Sequence, residues 1–157
     1  MPTETRIPLE LAEFLESGLA VVVGTRDGDL QPDGAAGWAV EIDEERGRLT
    51  VFLHEIAAEA LLRNLKSHPE IAVNLDQPTS HRACQVKGVF VASRPARPDE
   101  RELVERQVEG FRNDLSMIGF PRALTAAWQT WPCLALEMRV TQLFEQTPGP
   151  GAGGLLK

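Results

Sequence analysis

Apolar positions along the chain follow two periods, and the switches between them mark the elements. Leu11, Phe14 and Leu15 share one face of a short helix that Pro8 opens and Gly18 stops. Leu19 to Thr25 is β-branched, too short for a good helix and apolar on both faces, which predicts a buried strand. Asp27-Gly28 is a turn signal, and a second strand is predicted over Ala35 to Ile42. A charged turn from Asp43 to Gly47 leads to a third strand over Leu49 to His54, which completes an antiparallel meander. Between Ala57 and Leu65 the period changes. Ala58, Leu61, Leu62 and Leu65 recur at helical spacing, and Pro69 closes the segment. Ile71 to Leu75 returns to a strand, Asp76 to His81 is a polar loop, and Ala83 to Ser93 is a longer strand interrupted by Gly88. Past Pro95 and Pro98, Val104, Val108, Phe111, Leu115 and Ile118 line one side of a long helix. Arg101/Glu105 and Glu102/Arg106 pair on its outer side. Gly119 to Pro132, which carries Trp128 and Trp131, has no period. Leu134 to Phe144 is the last strand.

Six strands are therefore expected, joined mostly by short antiparallel turns, with one helix after the third and another before the last. Parallel winding would need a helix between nearly every pair of strands, so a mainly β fold is predicted: a small six-stranded antiparallel barrel with peripheral helices. Closure also removes exposed strand edges. The 157 residues suit a single domain over 1–157, with a core of about 9–145 and an irregular Gly/Pro-rich tail over 146–157.

Composition then narrows the partners. Sixteen Lys and Arg against 23 Asp and Glu leave a net charge of −7, which repels nucleic acid and anionic lipid. No apolar run approaches the roughly 20 residues that span a bilayer, so neither nucleic acid nor membrane is expected as a partner. Met1 to Arg6 lacks the basic start and apolar segment of a secretory leader, and Cys84 and Cys133 form no disulfide framework or CxxC motif. The expectation is a cytoplasmic protein with reduced thiols.

Candidate chemistry gathers in Thr79-Ser80-His81-Arg82-Ala83-Cys84-Gln85-Val86-Lys87-Gly88. By the period of a strand, Gln85 and Lys87 point to the same side and offer an amide and an ammonium there. A flat polar ring carrying a phosphate or carboxylate needs that pair of groups. The plainer reading makes Arg82 and Lys87 solvated rim residues and Gln85 the partner of a loop carbonyl. His54 and Glu55 end the third strand, where an imidazole beside a carboxylate is either an acid–base pair or surface decoration. His68, before Pro69, reads as structural. No zinc-ligand spacing, GxSxG elbow, calcium loop or P-loop is present, so no metal is expected and no catalytic residue is assigned. Trp38, Trp128 and Trp131 read as core or interface aromatics, although a flavin-stacking indole would look the same.

Several phrases resemble one family. Leu19 to Thr25 with its Asp-Gly turn, Leu49-Thr50-Val51-Phe52-Leu53, Arg63-Asn64-Leu65 followed by His68-Pro69-Glu70-Ile71-Ala72-Val73, and Arg82 to Gly88 are similar to the pyridoxamine 5′-phosphate oxidase-like proteins, the FMN-binding split barrels. The likeness runs from about residue 9 to 94, and the Phe144 to Gly153 segment is also similar. It implies a homodimer of six-stranded split β-barrels with flavin at the subunit interface. Gln85 before Val86 matches the glutamine that contacts the flavin ring, and His54 and Glu55 match the polar pair ending the third strand. The family's Arg-Lys pair for the flavin phosphate falls on Ala60 and Leu61, and its second-strand basic residues fall near Ala36 and Glu41. The resemblance thus implies an FMN-binding oxidoreductase acting on a small molecule, with cofactor contacts from Gln85, Lys87, Arg82, His81, Ser80, Thr79, His54 and Glu55. Arg82, Lys87, Arg63 or the Thr79 and Ser80 hydroxyls would replace the phosphate clamp. Its alternatives are a deazaflavin or haem in the same groove, or a cofactor-free dimer that binds another small molecule.

Overall fold

Val21 and Val23 point to one side of the first strand and Val22 to the other, and the two sides meet different surroundings. Val21 and Val23 are buried, whereas Val22 is 51% exposed, so the run expected to be buried on both faces is buried on only one. A computed structural model describes residues 4–157; Met1 to Thr3, the start of the segment read for a leader, lie outside the described residues. The elements are α1 (Leu9–Leu15), β1 (Ala20–Arg26), β2 (Pro32–Gly37), β3 (Ala39–Ile42), β4 (Arg48–His54), α2 (Glu55–Ser67), β5 (Glu70–Asp76) and β6 (Ala83–Pro95). A 3-10 turn (Pro98–Glu100), α3 (Arg101–Met117), α4 (Arg122–Ala126) and β7 (Cys133–Glu145) complete the chain.

All strand pairs are antiparallel, in the order β2-β1-β5-β6-β7-β4-β3. The two outermost strands, β2 and β3, are joined by Trp38 alone, so the sheet curls until its edges approach each other. This corrects the strand count. The strand expected over Ala35 to Ile42 begins at Pro32 and breaks at Trp38, before which it pairs with β1 and after which it pairs with β4. Seven strands therefore stand where six were expected, along the same path.

Inside the curl, Val23, Val40, Leu49, Val51, Leu53, Val73, Leu75, Val86, Leu136 and Met138 pack with Ala58, Leu61 and Leu65 of α2 and Leu11, Ala12 and Leu15 of α1. A second, smaller core lies outside the sheet. Ala39, Phe52 and Ala135 alternate with the inner residues of β3, β4 and β7, and they pack on Val104 and Val108 of α3 beside Trp38, Trp128 and Trp131. The Gly/Pro-rich tail folds back on β7 past the point where β4 stops. The Leu156 amide donates to the Leu143 carbonyl at 2.8 Å, and Phe144 bridges Leu155.

Candidate functional site

β6 carries the two residues singled out for cofactor contact. Cys84, Val86 and Gly88 of this strand are buried, while Gln85 is half-buried and Lys87 exposed, so both face outward as the strand period requires. Register supplies their neighbours. Gln85 stands opposite Asn74 of β5 and Phe144 of β7, and Lys87 opposite Ala72 and Gln142. Opposed side chains share a face. Three amides and one ammonium therefore border one outward surface across three strands. β7 carries an extra residue here, since Lys87 pairs with Gln142 but Gly88 with Val140. Thr141 bulges between them and its hydroxyl donates to the Lys87 carbonyl at 3.2 Å. Only glycine fits at 88, because a Cβ there would lie 2.2 Å from the Arg139 carbonyl oxygen.

Beside this surface runs a groove of about 390 Å³. Its floor is Gly24 and Ala72, which are adjacent in register, and a Cβ at Gly24 would meet nothing closer than 4.0 Å. Arg26 and Glu70 stand at one end, paired at 3.3 Å, with Lys87, Thr141 and Gln142 at the other. The Lys87 ammonium lies 4.9 Å from the centre of the Phe144 ring, and among the described residues no carboxylate is within ion-pair distance of it. A floor with nothing larger than a methyl group, the Gln142 amide and one unneutralised cation suit a planar polar ring. Asn74 and Gln142 were missed in the sequence. Asn74 carries the faint signal of a polar residue between Val73 and Leu75, but its place beside Gln85 comes only from register.

The other expected site residues lie elsewhere. The Thr79 amide and hydroxyl both donate to Asp114 of α3, at 3.0 and 2.7 Å. The Ser80 hydroxyl donates to Gln77 at 2.7 Å and accepts from the Arg82 amide at 3.2 Å. His81 takes a left-handed conformation with φ 61°. The Arg82 guanidinium stacks 4.0 Å over Phe14, in a separate hollow with Glu145 and Lys157. His54 caps α2, its Nδ1 accepting the Ile56 amide at 3.3 Å, and Glu55 edges an apolar hollow with Ile56 and Leu134. His54 pairs with Cys133 and Gln85 with Phe144, at opposite ends of β7 and on the order of 30 Å apart along the strand. One subunit does not bring these two groups to one ring.

None of the positions that would clamp a phosphate is basic. Leu61 is fully buried in the main core, Ala60 is half-buried, and Ala36 is exposed opposite Val22. Glu41 is exposed on another surface, beside Arg48 and Glu137. Burial pushes the Cys84 thiol up to about 11, with help from Glu145, and the Cys133 thiol up to about 12. Burial thus favours the neutral thiol at both positions. Among the described residues no helix is long and apolar enough to cross a membrane.

No protein-family model matches this sequence, and no curated protein does. Solved structures do. An F420 reductase aligns with a TM-score of 0.56 at 16% identity, covering 87% of this chain and 98% of its own. A putative pyridoxamine 5′-phosphate oxidase from Lactobacillus delbrueckii aligns at 0.54 and 11%, covering 88% and 93%. An FMN-binding protein from Syntrophomonas wolfei aligns at 0.50 and 14%, covering 87% and 84%. Identities this low show the fold alone, and the fold is the curled antiparallel β-barrel that these solved structures share.

Proposed function

We propose that this chain is a flavin-binding oxidoreductase that acts on a small molecule in the cytoplasm as a homodimer, with the flavin-type ring lying in the groove over Gly24 and Ala72. The groove itself carries the reading: two adjacent positions without bulk form a floor that Lys87 and Gln142 border, and Asn74 and Gln85 lie next to those two in register on the same outward face. Amides both donate and accept, so this face can pair with the alternating carbonyl and N–H groups at a flavin's edge. Lys87 offers positive charge where an anionic group or an electron-rich ring needs it. FMN is the form the resemblance implies. An F420 reductase among the structural neighbours supports a deazaflavin as the second reading.

A bound flavin would supply hydride transfer; the chain supplies binding, orientation and hydrogen bonds. Dimerisation accounts for two further observations. Val22 on β1, a strand that borders the groove, and Ala36 on the neighbouring β2 are opposed and exposed, a bare apolar pair that an interface would cover. His54 and Glu55 are too far from Gln85 to share a ring within one subunit, so they join the site only if a partner brings them.

Gly24→Val tests the assignment. Valine suits a strand, and its Cβ has room, so melting temperature should hold or rise while the side chain fills the groove. Flavin fluorescence titration should show binding to the natural chain and at least a tenfold loss in the variant. Unchanged binding would move the flavin out of this groove, and no binding to the natural chain would leave a cofactor-free dimer.

A further inference from the structure

We infer that this groove recognises the ring of a flavin and not its phosphate, so that riboflavin binds about as tightly as FMN. The inference rests on the flavin reading above and adds to it the chemical class of the ligand. A phosphate dianion held by a protein is ordinarily met by two or more charge-assisted donors. Here the candidate donors are absent, committed elsewhere or away from the groove: Arg63, exposed on α2, does not line it. Leu61 is fully buried in the main core, and Ala60 has no donor beyond its backbone. The Thr79 amide and hydroxyl are both spent on Asp114, at 3.0 and 2.7 Å. The Ser80 hydroxyl donates to Gln77, and the Arg82 guanidinium, stacked on Phe14, lines a different hollow and not this groove. Arg26 reaches the groove, but Glu70 pairs with it at 3.3 Å and lines the same wall, where it repels a second anion.

That leaves Lys87, exposed and single. An exposed pair of opposite charges is worth at most about a fivefold gain in affinity, and salt reduces it. A built phosphate clamp of several charge-assisted bonds would be worth on the order of a hundredfold. The Gln142 amide at the groove, and Asn74 and Gln85 next to it on the same face, meet the same ring chemistry in both ligands, so they do not discriminate between them.

The full chain, as it assembles in solution, is titrated with riboflavin and with FMN at low salt and at high salt. The expected Kd values lie within tenfold of each other and converge as salt rises. Lys87→Ala should weaken FMN by no more than about fivefold and bring it level with riboflavin. A preference for FMN beyond tenfold that persists in salt overturns the inference while keeping the flavin reading; a phosphate-binding cation from a partner subunit would show itself in this way. Failure of both ligands to bind removes the inference and the flavin reading together. Gln142→Leu supplies the complementary readout, since it should weaken both ligands by the same factor. A loss confined to FMN would place the phosphate at that end of the groove and overturn the inference.

Discussion

Glu100 is a carboxylate with only 5% of its surface exposed, and its partners explain how that is tolerated. Both terminal nitrogens of Arg94 donate to it, at 2.6 and 2.9 Å, and the Arg97 amide adds a third bond at 2.7 Å. These bonds join the end of β6 to the start of α3. The Arg94 guanidinium, helped by the Arg97 amide, holds the Glu100 carboxyl below the usual glutamate range against the opposing effect of burial. A pKa lowered by folding adds stability that is complete above the unfolded value and is lost as pH falls through the folded one. Melting temperature should therefore fall more steeply below about pH 5 in the natural chain than in Glu100→Gln, which should itself cost roughly 1–2 kcal/mol at neutral pH. Parallel melting curves across the acid range would assign acid sensitivity to other carboxylates. At this scale the sequence exposed what period alone reveals. Gln85 and Lys87 share a face because strands alternate, and both face outward between buried Cys84, Val86 and Gly88. Asn74 and Gln142 join them through cross-strand pairing, which no local spacing encodes. His54 beside Glu55 reads in sequence as either an acid–base pair or surface decoration, and the structure adds that His54 Nδ1 accepts the Ile56 amide at the start of α2.

An edge strand leaves alternate amides and carbonyls without partners, and β3 solves this with side chains from two helical segments. Gln107 of α3 is 3% exposed; its Oε1 accepts the Val40 amide at 3.0 Å and its Nε2 donates to the Val40 carbonyl at 2.7 Å. Glu16, just beyond α1, accepts the Ile42 amide at 2.7 Å. One glutamine thus imitates a neighbouring strand and blunts an edge that would otherwise be open to pairing. Gln107→Leu keeps the volume and leaves two buried backbone groups unsatisfied, so urea unfolding should show a loss of about 2–3 kcal/mol. Glu105→Leu, on the exposed side of the same helix, serves as the control. Equal effects from the two would mean that water or another group satisfies Val40. The amphipathic period of α3 was legible, yet its apolar face has glutamine at 107 beside Val104 and Val108. A polar residue in a core position was the overlooked sign of a backbone needing a partner. Element boundaries failed for other reasons. Five residues of α4 are too few to display a helical period, and the break at Trp38 follows from a change of strand partner, since the apolar run itself continues.

For the whole molecule, closure of the sheet decides which surfaces remain for function. α1 and α2 pack into the interior, and α3 covers the outer side of β3, β4 and β7. Among the described residues nothing comparable covers the outer side of β2, β1 and β5, where Val22 is 51% exposed opposite Ala36. The overall fold is shared with structures only 11–16% identical, so few particular residues are needed to specify it. An apolar strip beside the groove couples assembly to binding if the homodimer forms through it. The natural chain is then expected to sediment as a dimer, and Val22→Arg, placing a charge in the strip, should sediment as a folded monomer. Because Val22 faces solvent in the isolated subunit, the monomer's unfolding free energy should stay within about 0.5 kcal/mol of that of an exposed-site control such as Lys66→Ala. Its flavin affinity should drop at least tenfold, since the ring would lose whatever the partner contributes above the groove. A natural chain that sediments as a monomer and still binds flavin would place the whole site within one subunit, and His54 and Glu55, at the far end of β7, would then have no part in it.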